Sequence, residues 1–205
     1  MYLVEDAYRL FIPILAAYLL GSLPLATQIS RYHGVDIFSS GTGLAGASNV
    51  HRTVGKWSGL LVLLGDMAKG TIAVITAKVL GIDDILILLP ASAAILGHCK
   101  SIFTNFRGGD GLATLGGVLV GLFPIPGLLS IVVAMLVSLG GQKMPYTSLL
   151  NIVAGYFTLA AINLTFTTDL KVTLGLGILS TLVLMNASLG HIRRRADVAN
   201  WKTDD

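Results

Sequence analysis

Leu10-Phe11-Ile12-Pro13-Ile14-Leu15-Ala16-Ala17-Tyr18-Leu19-Leu20-Gly21-Ser22-Leu23-Pro24-Leu25 holds no charged side chain, and comparable runs recur along the chain. Such runs limit the fold more than any other feature. Lipid offers no partner to an unpaired backbone N–H or C=O, and a helix of about 20 apolar residues satisfies its own. Apolar runs with their polar interruptions predict spans near 8–29, 57–80, 85–97, 112–123, 125–139, 149–165 and 170–190. With 54% hydrophobic and 12% charged residues, the 205-residue chain is too apolar for a soluble domain. It is expected to be an all-α integral membrane protein of about seven transmembrane helices, with residues 1–205 forming one polytopic domain. The third and fourth runs would each cover only ~20 Å of a ~30 Å hydrocarbon core, so they must extend into their polar flanks or stop short. Glu5 and Asp6 precede the first run, which lacks a basic leader and a small-residue cleavage site, so it reads as a retained span.

Charge sets the expected orientation. If all seven runs cross, the connections 30–56, 98–111, 140–148 and 190–205 share one side. They carry Arg31, Arg52, Lys56, Lys100, Arg107, Lys143, Arg193, Arg194, Arg195 and Lys202, against Arg9, Lys78 and Lys171 opposite. The positive-inside rule makes the first side cytoplasmic and puts the N-terminus outside and the C-terminus inside. This topology also accounts for the net charge of +3, which does not point to nucleic acid. Opposite, the Phe123-Pro124-Ile125-Pro126-Gly127 segment is expected to break an apolar run into a helical hairpin. The single Cys99 excludes an internal disulfide framework and reads as a small packing residue; no Cys or His spacing suggests a metal.

Polar and glycine-rich sequence gathers in two of the basic connections, where loops on a rigid bundle carry function. In the first, Ser39 to Arg52, glycines permit positive φ and close backbone approach. Thr42, Ser48 and Asn49 add hydroxyl and amide groups and Arg52 a fixed fork of donors, a set suited to phosphate. The same small residues also suit close packing of membrane helices, with Arg52 as a topology anchor. The second connection, Gly97 to Thr114, runs a glycine cluster into a helix start, where unpaired amides and the helix dipole favour an anion. A plain re-entrant turn fits the Gly-Gly-x-Gly pattern equally well, and His98 reads either as a base or as a hydrogen-bonded interfacial residue. Asp66 and Lys69, three apart on one helical face within the second span, are expected to pair and to support the first loop. The rival reading makes them a proton relay in a small transporter or channel.

In order along the chain, these motifs resemble the PlsY-type membrane glycerol-3-phosphate acyltransferases. The family's Ser-Gly-Asn-x-Gly-Ala-Thr-Asn-x-x-Arg is similar to Thr42-Gly43-Leu44-Ala45-Gly46-Ala47-Ser48-Asn49-Val50-His51-Arg52. Its Asp-x-x-Lys-Gly is matched by Asp66 to Gly70, and its Gly-His and Gly-Gly-Lys-Gly-x-Ala-Thr by Gly97-His98 and Gly108 to Thr114. The Gly21-Ser22-Leu23-Pro24 and Tyr146-Thr147-Ser148-Leu149 segments are similar as well. The resemblance implies transfer of a fatty acyl group from acyl phosphate to the sn-1 hydroxyl of glycerol 3-phosphate in phospholipid biosynthesis, without coenzyme A, other cofactor or metal. It implies work at the cytoplasmic face of the cell membrane, among membrane lipids, with a partner enzyme supplying acyl phosphate. By position, Thr42, Arg52, His98 and His191 are expected at the catalytic centre. Gly43, Ser48, Asn49, Gly108, Gly109, Asp110, Gly111 and Ser148 are expected at the substrate site.

Four positions depart from the pattern. Leu44 replaces a family asparagine, and Ser188 and His191 stand where the C-terminal motif has His and Asn. Asp110 replaces the lysine of the glycine loop. Two unit charges ~4 Å apart interact by roughly 4 kcal/mol at an effective dielectric of 20, so reversing the sign should weaken phosphate binding. Either Asp110 turns away, paired with Arg107, Arg52 or Lys100, or it faces the ligand and alters the acceptor. A non-catalytic paralogue that keeps lipid or phosphate binding is the remaining alternative.

Overall fold

The structure, a computed structural model, describes residues 2–140, 147–166 and 169–201, with side chains over 9–140, 147, 149–166 and 169–188. The described residues are helices and short connections. In chain order these are α1 Tyr2–Ser22, α2 Leu25–Tyr32, α3 Ala47–Thr53, α4 Lys56–Val79, α5 Leu88–Cys99, α6 Leu112–Leu122, α7 Pro124–Gly140, α8 Thr147–Phe166 and α9 Leu170–Trp201. Short 3₁₀ turns cover Asp84–Ile87 and Ile102–Thr104.

Among the described residues, five apolar segments are long enough to cross a membrane: Arg9–Tyr32, Lys56–Val79, Asp84–Thr104, Leu149–Phe166 and Leu170–Ser188. Large apolar side chains on their outer faces, such as Phe11, Leu61 and Ile178, stay exposed, as lipid contact requires. The third run thus gains its length by borrowing both flanks. The fourth does not: α6 has 11 residues and α7 has 17, or about 16 Å and about 25 Å at 1.5 Å per residue.

Two sequence expectations are corrected here. The first run is not one helix, because α1 stops at Ser22 and α2 starts at Leu25. Pro24 has no N–H to continue the ladder, and its ring crowds the preceding turn. The hairpin turn is also tighter than 123–127: only Phe123 separates α6 from α7, and Pro124 and Pro126 lie in the first turn of α7. Proline is tolerated there because first-turn amides have no intrahelical acceptor.

Helix α1 packs on α5 and α4, α4 on α6, α7 on α8, and α9 reaches α8 and α5. Val74, Ala91, Leu115, Val118, Leu159 and Leu176 join five of these helices in one apolar core. Reciprocal glycines set the two closest crossings. A Cβ on Gly21 would overlap the Ala94 carbonyl, and one on Gly97 the Tyr18 carbonyl, where α1 meets α5. Gly70 against Thr114 and Gly117 against Met67 do the same for α4 and α6. Small residues of this kind let membrane helices approach until backbone touches backbone.

The segment from α2 to α3 is irregular, yet it is held tightly from below and within. Ile37 and Val50 are buried pegs in a cluster with Ala26, Ala45 and Val62. Asn49 organises the rest. Its Nδ2 donates to the carbonyls of Ile37 at 3.2 Å, Ser40 at 3.0 Å and Leu44 at 3.0 Å, and its Oδ1 accepts the Thr42 amide at 3.0 Å.

Two outcomes follow for stability. Gly117→Leu should lower the unfolding free energy by at least about 3 kcal/mol, since the clash is with backbone and cannot relax by a rotamer change; a melting curve in detergent reads it. Asn49→Ala strands three carbonyls and one amide and should cost about 2–3 kcal/mol, with faster proteolysis between residues 37 and 46.

Candidate active site

The site is built where the broken first span, the two glycine loops and the centre of α4 meet. Breaking α1 frees carbonyls at the level of the membrane, and other elements take them up. Lys69 Nζ donates to Leu23 O at 2.8 Å and Gly21 O at 3.2 Å, while Ser101 Oγ donates to Ser22 O at 2.6 Å. Lys69 also contacts Asp66 Oδ1 at 2.7 Å, and both side chains are buried. The ammonium thus spends three donors on protein groups, which answers the cost of burying charge. The pair was expected to support the first loop. It supports the α1 break and, through His98, the second loop.

His98 lies under the glycine loop. Its Nδ1 is 3.6 Å from Asp66 Oδ1, and its backbone carbonyl accepts the Gly109 amide at 3.2 Å. The ring packs so closely on Gly109 that a Cβ there would overlap Nε2, and a Cβ on Gly108 would overlap the His98 carbonyl. Both glycines are therefore required by close approach. With 5% of its surface exposed, His98 supports the glycine loop from beneath.

The two loops touch. Ala45 N donates to Gly108 O at 3.2 Å, and Arg107 reaches back over the Phe38 ring, 4.2 Å from its centroid, with Nη2 donating to Phe38 O at 3.5 Å. Thr104 Oγ1 donates to the Arg107 carbonyl and tightens the turn before the glycines. Within this frame the Gly109 amide is taken by His98. Those of Gly108, Asp110, Gly111 and Ala113 have no partner among the described residues. Gly111 sits at φ 93°, and its left-handed turn starts α6 directly behind these amides. The result is a half-buried cradle at a helix N-terminus, which suits an anion.

Asp110 pairs with none of Arg107, Arg52 or Lys100 among the described residues. Its Oδ1 turns forward and accepts the Leu112 amide at 3.2 Å, an Asx turn that caps α6. A carboxylate at that end is favoured by the helix dipole, so the acid has a structural task. The amide it occupies is one fewer for a ligand.

In the first loop and α3, Thr42 and Gly43 are half-buried, and Ser48 and Arg52 are exposed. Arg52 forms no ion pair among the described residues, leaving its guanidinium free for an anion. Asn49 was expected at the substrate site. With every polar group of its side chain engaged and 2% of its surface exposed, it shapes the loop there. The side chains of Ser148 and His191 lie outside the described residues.

Several residues at the site carry no motif. Ser101 and Ala45 tie loops together through single bonds, which pattern reading does not see. Asn186 on α9 donates to the Asp110 carbonyl at 3.4 Å and to Cys99 Sγ at 3.6 Å, attaching the last helix to the loop. It had a visible signal, since a lone amide in an apolar span is costly and marks a role. Beyond the cradle, an apolar cavity of about 270 Å³ opens between α4, α6, α7 and α8. Its walls include Leu112 and Ala113 at the start of α6, then Met67, Gly116, Ala134 and Tyr156.

Comparison with known proteins gives this geometry a family. The model of the family described as glycerol-3-phosphate acyltransferase matches residues 11–199. A glycerol-3-phosphate acyltransferase of Geobacter metallireducens is 48% identical over 109 residues, 53% of this chain and 56% of that protein's length. Another, of Geotalea daltonii, is 39% identical over 141 residues, 69% of this chain and 71% of its own length. The chain thus spans between half and three quarters of these relatives. A crystal structure of PlsY, an integral membrane glycerol 3-phosphate acyltransferase, in its glycerol 3-phosphate form superposes with TM-score 0.72 at 30% identity, covering 95% of this chain and 92% of that one. The lysophosphatidic acid form superposes with TM-score 0.73 at the same identity and coverage. A family match along nearly the whole chain, on a helical membrane fold, means that this chain belongs to the glycerol-3-phosphate acyltransferase family.

Proposed function

We propose that the protein transfers a fatty acyl group from acyl phosphate to the sn-1 hydroxyl of glycerol 3-phosphate, releasing lysophosphatidic acid and inorganic phosphate. One juxtaposition carries the reading: unpaired amides at Gly108, Asp110, Gly111 and Ala113 stand at the head of an apolar cavity of about 270 Å³, with α6 starting in both. A phosphorylated polar acceptor suits the first and a fatty chain the second. Acyl transfer needs both held so that a hydroxyl meets a carbonyl carbon, and positioning of that kind supplies much of the rate. In the step itself, the hydroxyl oxygen forms a bond to the acyl carbon and the carbonyl-to-phosphate bond breaks. The hydroxyl proton leaves on the departing phosphate, a base of sufficient strength for the purpose. Gly-loop amides and the guanidinium of Arg52 balance the phosphate charge. Thr42, half-buried in the first loop, orients a phosphate oxygen through its hydroxyl.

The basic bias of the loops 30–56 and 98–111 supports a cytoplasmic site in the cell membrane, with the N-terminus outside. Because acyl phosphate hydrolyses readily and partitions into lipid, an enzyme that makes it is the natural partner. Asp110 on this reading is compatible with activity, since its carboxylate is turned to the helix.

Three measurements test the proposal. Purified protein in lipid should release phosphate from palmitoyl phosphate only when glycerol 3-phosphate is present, with lysophosphatidic acid in equal amount; release without acceptor, or none at all, ends the reading. Asp110→Asn keeps the cap and should hold kcat/KM within about twofold, whereas Asp110→Ala should cost about 1 kcal/mol of stability. A change of tenfold or more in the acceptor KM on Asp110→Asn would place the charge against the ligand. Finally, Ala134→Phe should fill the cavity and lower kcat/KM for long-chain acyl phosphates by roughly tenfold or more while sparing short-chain ones.

A further inference from the structure

Among the described residues, several helical hydroxyls settle on the same kind of partner. Ser92, Ser130, Thr158, Thr165, Thr173 and Thr181 each donate to the carbonyl four residues back. Ser22 and Thr27 do not. They flank the α1 break, are 0% and 3% exposed, and their hydroxyls have no partner. Asp66 Oδ2 is also without a partner, at 1% exposure, while its sister oxygen serves Lys69 and His98. A buried polar atom left unpaired is costly, and three converging on one place call for a shared partner.

They do converge. Ser22, Thr27 and Asp66 line one small cavity, together with Lys69, His98 and Ser101. Its volume of ≈ 20 Å³ exceeds the roughly 10–15 Å³ that one water requires on the same measure. Arg107 and Gly108 border it on the loop side, which gives solvent a way in.

We propose that this cavity is a binding site for one internal water, bridging Asp66 Oδ2 to the hydroxyls of Ser22 and Thr27, and that Asp66 is thereby a positioning residue for the 108–111 loop. Water fits the donor set. It donates to a carboxylate oxygen that can only accept, and either donates to or accepts from each hydroxyl. A cation has little to gain, because the Lys69 ammonium already stands 2.7 Å from the same carboxylate. The chain of contacts then runs from the α1 break through water to Asp66, from Asp66 to the His98 ring, and from His98 to Gly108 and Gly109. None of these side chains needs to touch substrate, yet together they fix the height of the cradle amides. The kinetic consequence rests on the acyltransferase reading; the water itself does not.

The test has two arms. A high-resolution crystal structure of the full chain in lipid should show one spherical density about 2.7–3.0 Å from Asp66 Oδ2 and at least one of the two hydroxyls. An empty cavity, or a density with several oxygens near 2.4 Å as a cation would have, overturns the proposal. In steady-state kinetics, Asp66→Asn and the isosteric Thr27→Val should each raise the KM for glycerol 3-phosphate at least fivefold and leave that for acyl phosphate unchanged. Thr27→Ser should restore it to within about twofold of wild type. An unchanged acceptor KM in both variants, or equal loss for both substrates, overturns the positioning role. If the wild type turns over no acyl phosphate, the proposed function falls, and the density alone decides the water site.

Discussion

The contact on which the rest of the site depends is the Lys69 ammonium lodged at the end of α1. A helix that stops inside a membrane exposes carbonyls to a medium without donors, and lipid tolerates that only where protein supplies them. Lys69 supplies two of the bonds, Ser101 a third, and Asp66 balances the charge. The break at Leu23-Pro24 is therefore stable, and it turns α2 aside to make room for the loops. Without it, the span would be an ordinary rod and the glycine loops would have no floor.

On that floor the two loops are held by different means. The first is a knot of backbone around a single amide, with Asn49 serving three carbonyls and an N–H, so its shape depends on one side chain. The second is held by close approach, with His98 so near Gly108 and Gly109 that only glycine fits. They meet at Ala45 and Gly108 and through Arg107 on Phe38. The cradle is thus over-determined from several sides, which is what positioning of a bound group demands.

Asp110 shows where local sequence reading misleads. Judged by charge, an acid inside an anion loop opposes the loop's purpose. Judged by geometry, it occupies the place one turn before α6 where an acid is most at home, and it spends its oxygen on Leu112 N. Charge counts are blind to direction, and a carboxylate that points along the chain differs from one that points across the loop. Asn49 and His98 also stand in motifs, and both turn inward to hold backbone.

The sequence by itself determined the membrane setting, the approximate spans, the two loops and the family resemblance, because hydrophobic length and ordered short motifs are local properties of the chain. It also marked Asp66 and Lys69 as a pair, since their spacing on a helix fixes their mutual distance. Only the tertiary structure decided what that pair holds, that Pro24 ends a helix and does not merely bend it, and that Asn49, His98 and Asp110 face the scaffold. Those outcomes depend on which carbonyls and amides other segments leave unpaired. That is a property of the packed molecule, settled between Lys69 and Gly21 across 48 residues and between Ser101 and Ser22 across 79.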